Sequence, residues 1–298
     1  MGWLPKGIAL SLGLAVIAAT VPSPTPEHAP VVPEGSEVRA TPTASLRSDT
    51  RVLAFTQAYA ALIDSVAYGE EDVVFHLGDG AIHFRDGRML EADRGAEGDA
   101  ECDPIFYEYP LEPLADPPTP SEETPVYCTD LLEALWGSEE DEIREHGSSI
   151  GFLDHKMFVN DFLIEPLTRV ERDLRRAARR DAEVAEWIAE VDITYSFVSR
   201  RIAGSPSRSH HGWGLAVDFV PESYDGQHVY WRWSRALDRR GWDRIPLEER
   251  WSPPLAVVEI FERQGFVWGG KWARFDMIHF EYRPEIILYN RLLSLTES

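Results

Sequence analysis

Two short stretches of this chain hold residues whose types and spacing suit chemistry. The first, Ser209-His210-His211-Gly212-Trp213-Gly214-Leu215-Ala216-Val217-Asp218, offers the His211 imidazole and, at the end of the stretch, the Asp218 carboxylate. Leu215 to Val220 alternates like a strand, with Leu215, Val217 and Phe219 on one face and Ala216 and Asp218 on the other. A carboxylate on a buried face needs a partner, because an unpaired interior charge is costly. A divalent metal shared with His211 supplies one, and Gly212 and Gly214 let the backbone bend so that a loop histidine meets a strand aspartate. The second stretch, Phe275-Asp276-Met277-Ile278-His279-Phe280-Glu281-Tyr282, is again strand-like and adds His279. Two histidines and one aspartate leave a fourth position open, the coordination of catalytic rather than structural zinc. Asp276 then reads as a non-ligand carboxylate that handles protons. In a regular strand Asp276 and His279 would point to opposite faces, so Asp276 is expected on a loop or bulge before the strand.

These residues carry a family resemblance. Ser209-x-His211-x-x-Gly214-x-Ala216-x-Asp218 resembles the SxHxxGxAxD signature of the zinc peptidases that act as D-alanyl-D-alanine carboxypeptidases and L-alanyl-D-glutamate endopeptidases. Trp268-Gly269-Gly270-Lys271-Trp272, followed by Asp276-x-x-His279-Phe280-Glu281, is similar to the WGGxW and DxxHFE ending of the endopeptidase branch. The carboxypeptidase branch carries Glu where Asp276 stands, and the endopeptidase branch usually carries Pro where Ile278 stands. The resemblance spans about Asp192 to Pro284. It implies zinc (Zn2+) on His211, Asp218 and His279, with Asp276 as general base. It also implies an arginine near the preceding strand, Arg200 or Arg201 with Arg201 favoured, meeting substrate carboxylate or developing negative charge. The implied fold is a small antiparallel sheet with the zinc on one face and helices packed behind, as in hedgehog and DD-peptidase domains. The implied partner is the peptide stem of peptidoglycan, with carboxypeptidase and endopeptidase action both compatible. The rival reading is a non-catalytic, zinc-containing module that binds peptidoglycan or a protein. Asp276 discriminates between them, since a module that only binds has no use for a proton carrier there.

Ser209 is expected to order the motif turn by hydrogen bonding, and Glu281 to orient a ligand histidine from outside or else lie exposed. Trp268 and Trp272 either wall the cleft or belong to the core. His210, one residue off the motif spacing, is expected beside the site or exposed.

Several other elements must position this set. Asp192 to Ser199 reads as a strand. Phe162 to Val191 is a helical stretch with Leu163, Leu167, Val170 and Leu174 on one face. Its Arg-rich part is interleaved with acids, which argues for a salt-bridged exposed face. Pro253-Pro254 opens a further helix that Gly265 ends. Upstream, Val52 to Ala67 has helical spacing, Asp72 to Leu77 and Ala81 to Phe84 flank a turn at Gly78-Asp79-Gly80, and Asp86-Gly87 marks another. His76 and His83 on these strands read as ordinary surface or packing residues. The Pro-rich stretch from Gly95 to Thr124 is loop-like, with Tyr107 and Tyr109 expected to pin it to the core rather than to line a substrate groove. Asp130 to Trp136 is a short helix. The mixture is α+β.

The chain has 298 residues, with 51 acidic against 29 basic side chains and a formal charge of −22. Such a surface repels nucleic acid and anionic lipid. Gly7 to Ala19 is apolar but short for a bilayer, and fits a signal-peptide core, with an uncleaved anchor as the alternative. After its removal no stable membrane span is expected, and the protein is placed in the periplasm or cell envelope, or secreted. Cys102 and Cys128 are the two cysteines. In an exported chain they suggest a disulfide, against two free thiols or a metal pair. The expected organisation is a signal peptide at 1–20, a flexible Pro-rich linker at 21–48, an N-terminal α+β extension at 49–149 and a zinc peptidase domain at 150–298.

Overall fold

The computed structural model of the chain describes residues 46–92, 94, 102–120, 126–199 and 207–296. The expected export signal, the expected linker as far as residue 45, and Arg200 and Arg201 lie outside the described residues. Helix α1, Thr50–Ala58, starts where the Asp49 carboxylate accepts the Arg51 backbone N–H at 2.8 Å. It stops at Tyr59, short of the Ala67 that helical spacing predicts. The last residues of that spacing form strand β1, Ser65–Tyr68, because a pairing strand is available to them. β2 (Val73–Leu77), β3 (Gly80–Arg85) and β4 (Arg88–Leu90) complete an antiparallel meander in sequence order. Its turns fall at Gly78, with φ 57°, and at Asp86-Gly87, with φ 50° and 80°. His83 Nδ1 lies 2.7 Å from Asp72, an ordinary surface pair, and His76 is exposed.

Helices α2 (Asp130–Trp136) and α3 (Glu140–Glu145) follow, the second closed by a capping box between Glu139 and Glu142. A hairpin of β5 (Gly147–Phe152) and β6 (His155–Asn160) turns through Leu153-Asp154, both at positive φ. The long helical stretch is two helices, α4 (Ile164–Ala177) and α5 (Ala182–Glu190). Asp181 divides them, because its carboxylate accepts the Glu183 N–H at 3.0 Å and starts the second. The arginines of α4 pair with Glu165, Glu171 and Asp173 on its exposed face.

The sheet that carries the motifs is built from β7 (Val191–Tyr195), β8 (Ala216–Pro221), β9 (Phe266–Trp268) and β10 (His279–Tyr282). Helices α6 (Trp231–Leu237) and α7 (Leu255–Arg263) lie between β8 and β9 in sequence, and α8 (Pro284–Thr296) follows β10. The spatial order is β7-β8-β10-β9, every pair antiparallel. Alternation sends Val217, Phe219 and Phe280 to one face. There Phe261 of α7 stacks on Phe280 with centroids 4.1 Å apart, and Trp187 of α5 meets Phe219 at 5.5 Å. Each such ring contributes roughly 1.5–3 kcal/mol of burial. The opposite face holds Ala216, Asp218, His279 and Glu281. Most buried apolar side chains from Leu46 to Ile287 form one large cluster, with Leu90, Cys102 and Cys128 in a smaller one, and α1 packs on α8. Among the described residues no helix is long and apolar enough to cross a membrane.

Gly214 makes a tight backbone approach near the site. Its φ is +67°, and a Cβ there would lie 2.7 Å from the Asn160 nitrogen of β6. The Gly214 carbonyl accepts that same N–H at 3.0 Å. Gly214→Ala is therefore expected to destabilise by at least ~1–2 kcal/mol, the cost of a left-handed non-glycine residue before any clash. A lower urea midpoint with unchanged slope checks it.

Cys102 and Cys128 form a disulfide across 26 residues of sequence, with Cα atoms 5.2 Å apart. In the chain-entropy view a loop of that size contributes about 3–4 kcal/mol. Intact mass should rise by two hydrogens on reduction, with a lower melting temperature. Two thiols alkylated without reductant in protein from an oxidising compartment would contradict the pairing.

Candidate metal centre

His211 sits in a single 3-10 turn, His210–Trp213, that Ser209 opens by accepting the His211 N–H at 3.4 Å. The Trp213 indole N–H donates to the Gly137 carbonyl at 3.1 Å and fixes the turn to the body of the protein. His211 Nδ1 lies 2.6 Å from the Ser196 carbonyl. A carbonyl only accepts, so Nδ1 carries the proton and the Nε2 lone pair faces inward. His279 opens β10 and lies directly across from Asp218 on β8. Its Nε2 is 3.3 Å from Glu281 Oε2. Glu281 is an acceptor: burial opposes its charge, but His210, His279 and Arg283 outweigh that and hold its pKa down to about 2. His279 therefore presents its Nδ1 lone pair to the centre.

The three inner groups converge. Asp218 Oδ1 is 3.1 Å from His211 Nε2 and 2.8 Å from His279 Nδ1, and the two nitrogens are 3.2 Å apart. All three residues are fully buried, and their donor atoms lie within 4.8 Å of one another. Lone pairs and an anion at this range repel unless a cation lies among them. In a metal-free site that cation is a proton. Burial disfavours charge on His279, yet its hydrogen bonds to Asp218 and Glu281 outweigh burial and raise its pKa to about 10. Burial likewise opposes the Asp218 charge, and the two histidines overcome it, leaving a pKa of about 2. The other Asp218 oxygen, Oδ2, is buried with no hydrogen-bond partner. An orphaned carboxylate oxygen beside two inward lone pairs fits a divalent cation with one coordination position left open. Ser196 and Glu281 supply the outer hydrogen bonds that orient metal-binding imidazoles.

Asp276 is fully buried and precedes β10, so the conflict of faces does not arise. It forms an isolated bridge with Tyr230, its N–H donates to the Gly269 carbonyl at 3.0 Å, and its carbonyl accepts the His279 N–H at 3.4 Å. The turn from Asp276 to His279 holds its carboxylate close enough for its charge to favour protonation of His279. Both tryptophans of the WGGxW stretch are buried: Trp272 lies with its ring 5.3 Å from that of His279, and Trp268 donates its indole N–H to the Met277 carbonyl at 2.8 Å. His210 lies beside the site, with Nδ1 3.2 Å from Glu281 Oε1. Burial lowers its pKa to about 4 despite Glu281, so it is neutral at pH 7.

Three parts of the surroundings have no counterpart in the sequence reading. Arg283 contacts Glu281 at 3.2 Å and Glu285 at 2.5 Å. The alternation Glu281-x-Arg283-x-Glu285 at a strand end was a readable signal for that chain of charges. Tyr224 is the second: burial first, then the charges of Asp276 and Asp218, raise its pKa. The third is a contact between Tyr109, Glu262 and Lys271, residues too far apart in sequence to be paired by spacing.

Comparison with known proteins agrees with this geometry. Residues 203–282, which include His211, Asp218, Asp276 and His279, match the family described as D-alanyl-D-alanine carboxypeptidase. Over 77 residues the chain is 38% identical to the peptidoglycan L-alanyl-D-glutamate endopeptidase CwlK of Bacillus subtilis (strain 168). That match takes in 26% of this chain, and the chain spans about 40% of the length of the relative. No solved structure is significantly similar. Through residues 203–282, then, the chain is similar to the M15 peptidases.

Proposed function

We propose that the protein is an exported zinc peptidase that hydrolyses amide bonds in peptidoglycan stem peptides, of the D-alanyl-D-alanine carboxypeptidase or L-alanyl-D-glutamate endopeptidase type. The observation that carries this reading is the buried convergence of His211 Nε2, His279 Nδ1 and Asp218, with Asp276 beside them as a carboxylate outside the ligand set. His211, Asp218 and His279 would hold the metal. When bound, zinc supplies a Lewis acid for the scissile carbonyl and lowers the pKa of water toward ~7. Ser196 and Glu281 keep the ligand nitrogens deprotonated on their inner side and fix both rings. Asp276 accepts the proton of the attacking water and delivers it to the leaving amine. Fully buried next to His279, it does so where bulk water is excluded, so its charge acts with little screening. Arg201 is assigned to the developing negative charge on the family resemblance alone. Export is proposed from the apolar run at Gly7 to Ala19, and the Cys102–Cys128 disulfide supports an oxidising compartment.

One zinc per chain is expected from metal analysis of the purified protein, with affinity falling as the pH is lowered below about 10, because the metal must displace the proton that the metal-free site holds on His279. Full activity after exhaustive chelation, with no metal detected, would exclude the metal role.

Two substitutions separate chemistry from metal holding. Asp276→Ala should keep zinc and fold while turnover of a stem peptide, followed by mass spectrometry of muropeptides, drops about 10²–10⁴-fold. His279→Ala should lose zinc and turnover together. Parental turnover in Asp276→Ala would remove the general-base assignment. A parent that binds peptidoglycan but cleaves no stem peptide would make the domain a binding module.

A further inference from the structure

The extension upstream of the site sends one segment, Ile105 to Leu111, deep against the motif-bearing sheet. Tyr109 is its centre and is 2% exposed. Its hydroxyl donates to Glu262 Oε1 and accepts the Trp268 backbone N–H at 2.9 Å. Lys271, 4% exposed, pairs with the same Glu262 oxygen at 2.7 Å. Its ammonium also donates to the carbonyls of Pro110 at 2.9 Å and Leu111 at 3.2 Å. A buried ammonium, a buried carboxylate and a buried phenol thus satisfy one another, and two of the four bonds to Lys271 and Glu262 end on the upstream backbone.

Trp268 and Lys271 bracket the 3-10 turn at Gly269–Lys271. The turn and the Trp268 that precedes it hold the Asp276-Met277 backbone at two points. The Gly269 carbonyl accepts the Asp276 N–H at 3.0 Å, and the Trp268 indole donates to the Met277 carbonyl at 2.8 Å. The packing leaves no slack. A Cβ on Gly269 would lie 2.6 Å from the Asp276 carbonyl oxygen, and one on Gly270 would strike the Trp268 ring. Displacement of the Trp268 or Lys271 backbone is therefore passed on to Asp276, since close-packed interiors transmit strain.

We propose that the Ile105–Leu111 segment is a working part of the site, with Tyr109 as the positioning residue for Asp276. Tyr109 touches neither substrate nor metal; it sets where the proton carrier stands. The inference rests on the reading of Asp276 as general base. A positioning role for Tyr109 alters kcat, because misplacing a catalytic group costs rate and leaves ground-state binding alone.

Tyr109→Phe tests it, keeping the ring and removing both hydrogen bonds. Expected are parental zinc content, a KM within about two-fold of the parent, and kcat per zinc-loaded chain lower by about ten-fold or more. Faster amide hydrogen exchange is expected in the peptide covering residues 266–280, with exchange of β8 unchanged. Val52→Ala is the control: it thins the core of the same extension at α1, so it should lower stability while kcat and the exchange of 266–280 stay parental. If Tyr109→Phe does not fold, Lys271→Met removes the donors to Pro110 and Leu111 and should show the same kcat and exchange changes. Parental kcat and parental exchange at 266–280 in a folded variant would overturn the proposal. Should the parent lack peptidase activity, the proposed function fails on its own. The exchange of 266–280 then decides the positioning role alone, faster supporting it and unchanged refuting it.

Discussion

A carboxylate buried between two imidazoles sets the terms for everything around it. Asp218 has no exposure, and its Oδ1 lies within 3.1 Å of a nitrogen from each of His211 and His279. Removing such a charge from water costs several kcal/mol, and only close, well-oriented partners offset it. The antiparallel register meets part of that demand by placing His279 directly across from Asp218. The rest falls to the His211 turn, which must enter from outside the sheet. Its left-handed exit at Gly214, its Ser209 cap and the Trp213 anchor on Gly137 are the means.

Around this inner group lies a shell of alternating charge. Glu281 orients His279 and is itself held by His210 and Arg283, and Arg283 is held by Glu285 and by the carbonyl of Ile105. Tyr59 of α1 donates to Glu285 at 3.1 Å. The buried charges of Glu281, Arg283 and Glu285 share partners in this way, so loss of one weakens the satisfaction of its neighbours. The shell reaches the upstream segment at Ile105, a second place where residues before 150 support the motif-bearing sheet.

The inner group was legible because its chemistry is local: His211 and Asp218 share one turn-and-strand, and Asp276 and His279 another. The need for Asp276 to leave the strand followed from side-chain alternation, and β10 begins only at His279. Less could be read where the reason lies elsewhere in the chain. The β5–β6 hairpin turns through Leu153-Asp154, which carries no glycine to mark it, and Gly147-Ser148-Ser149 dilutes its alternation. Helix α8 carries Ile286, Ile287 and Leu288 in succession, so no single apolar stripe announces it. Val66 continues the spacing of Leu62 and Ile63, yet takes a strand because Phe75 is there to pair with it. Lys271 and Glu262 look like surface charges until Tyr109 arrives from more than a hundred residues upstream.

The packing of α1 on α8 bears on how the molecule comes into being. These are the first and last of the helices described, and the sheet and both motifs lie between them along the chain. Contacts of such long sequence separation close large loops and form late, which slows folding relative to a chain of local contacts. The meander β1–β4 and the β5–β6 hairpin need only near neighbours and can form while the polypeptide is still emerging. The convergence of His211, Asp218 and His279 cannot, since β10 must dock before the third group arrives. A nascent or partly threaded chain therefore carries no assembled metal-holding group, and competence for chemistry arrives as one of the last events of folding.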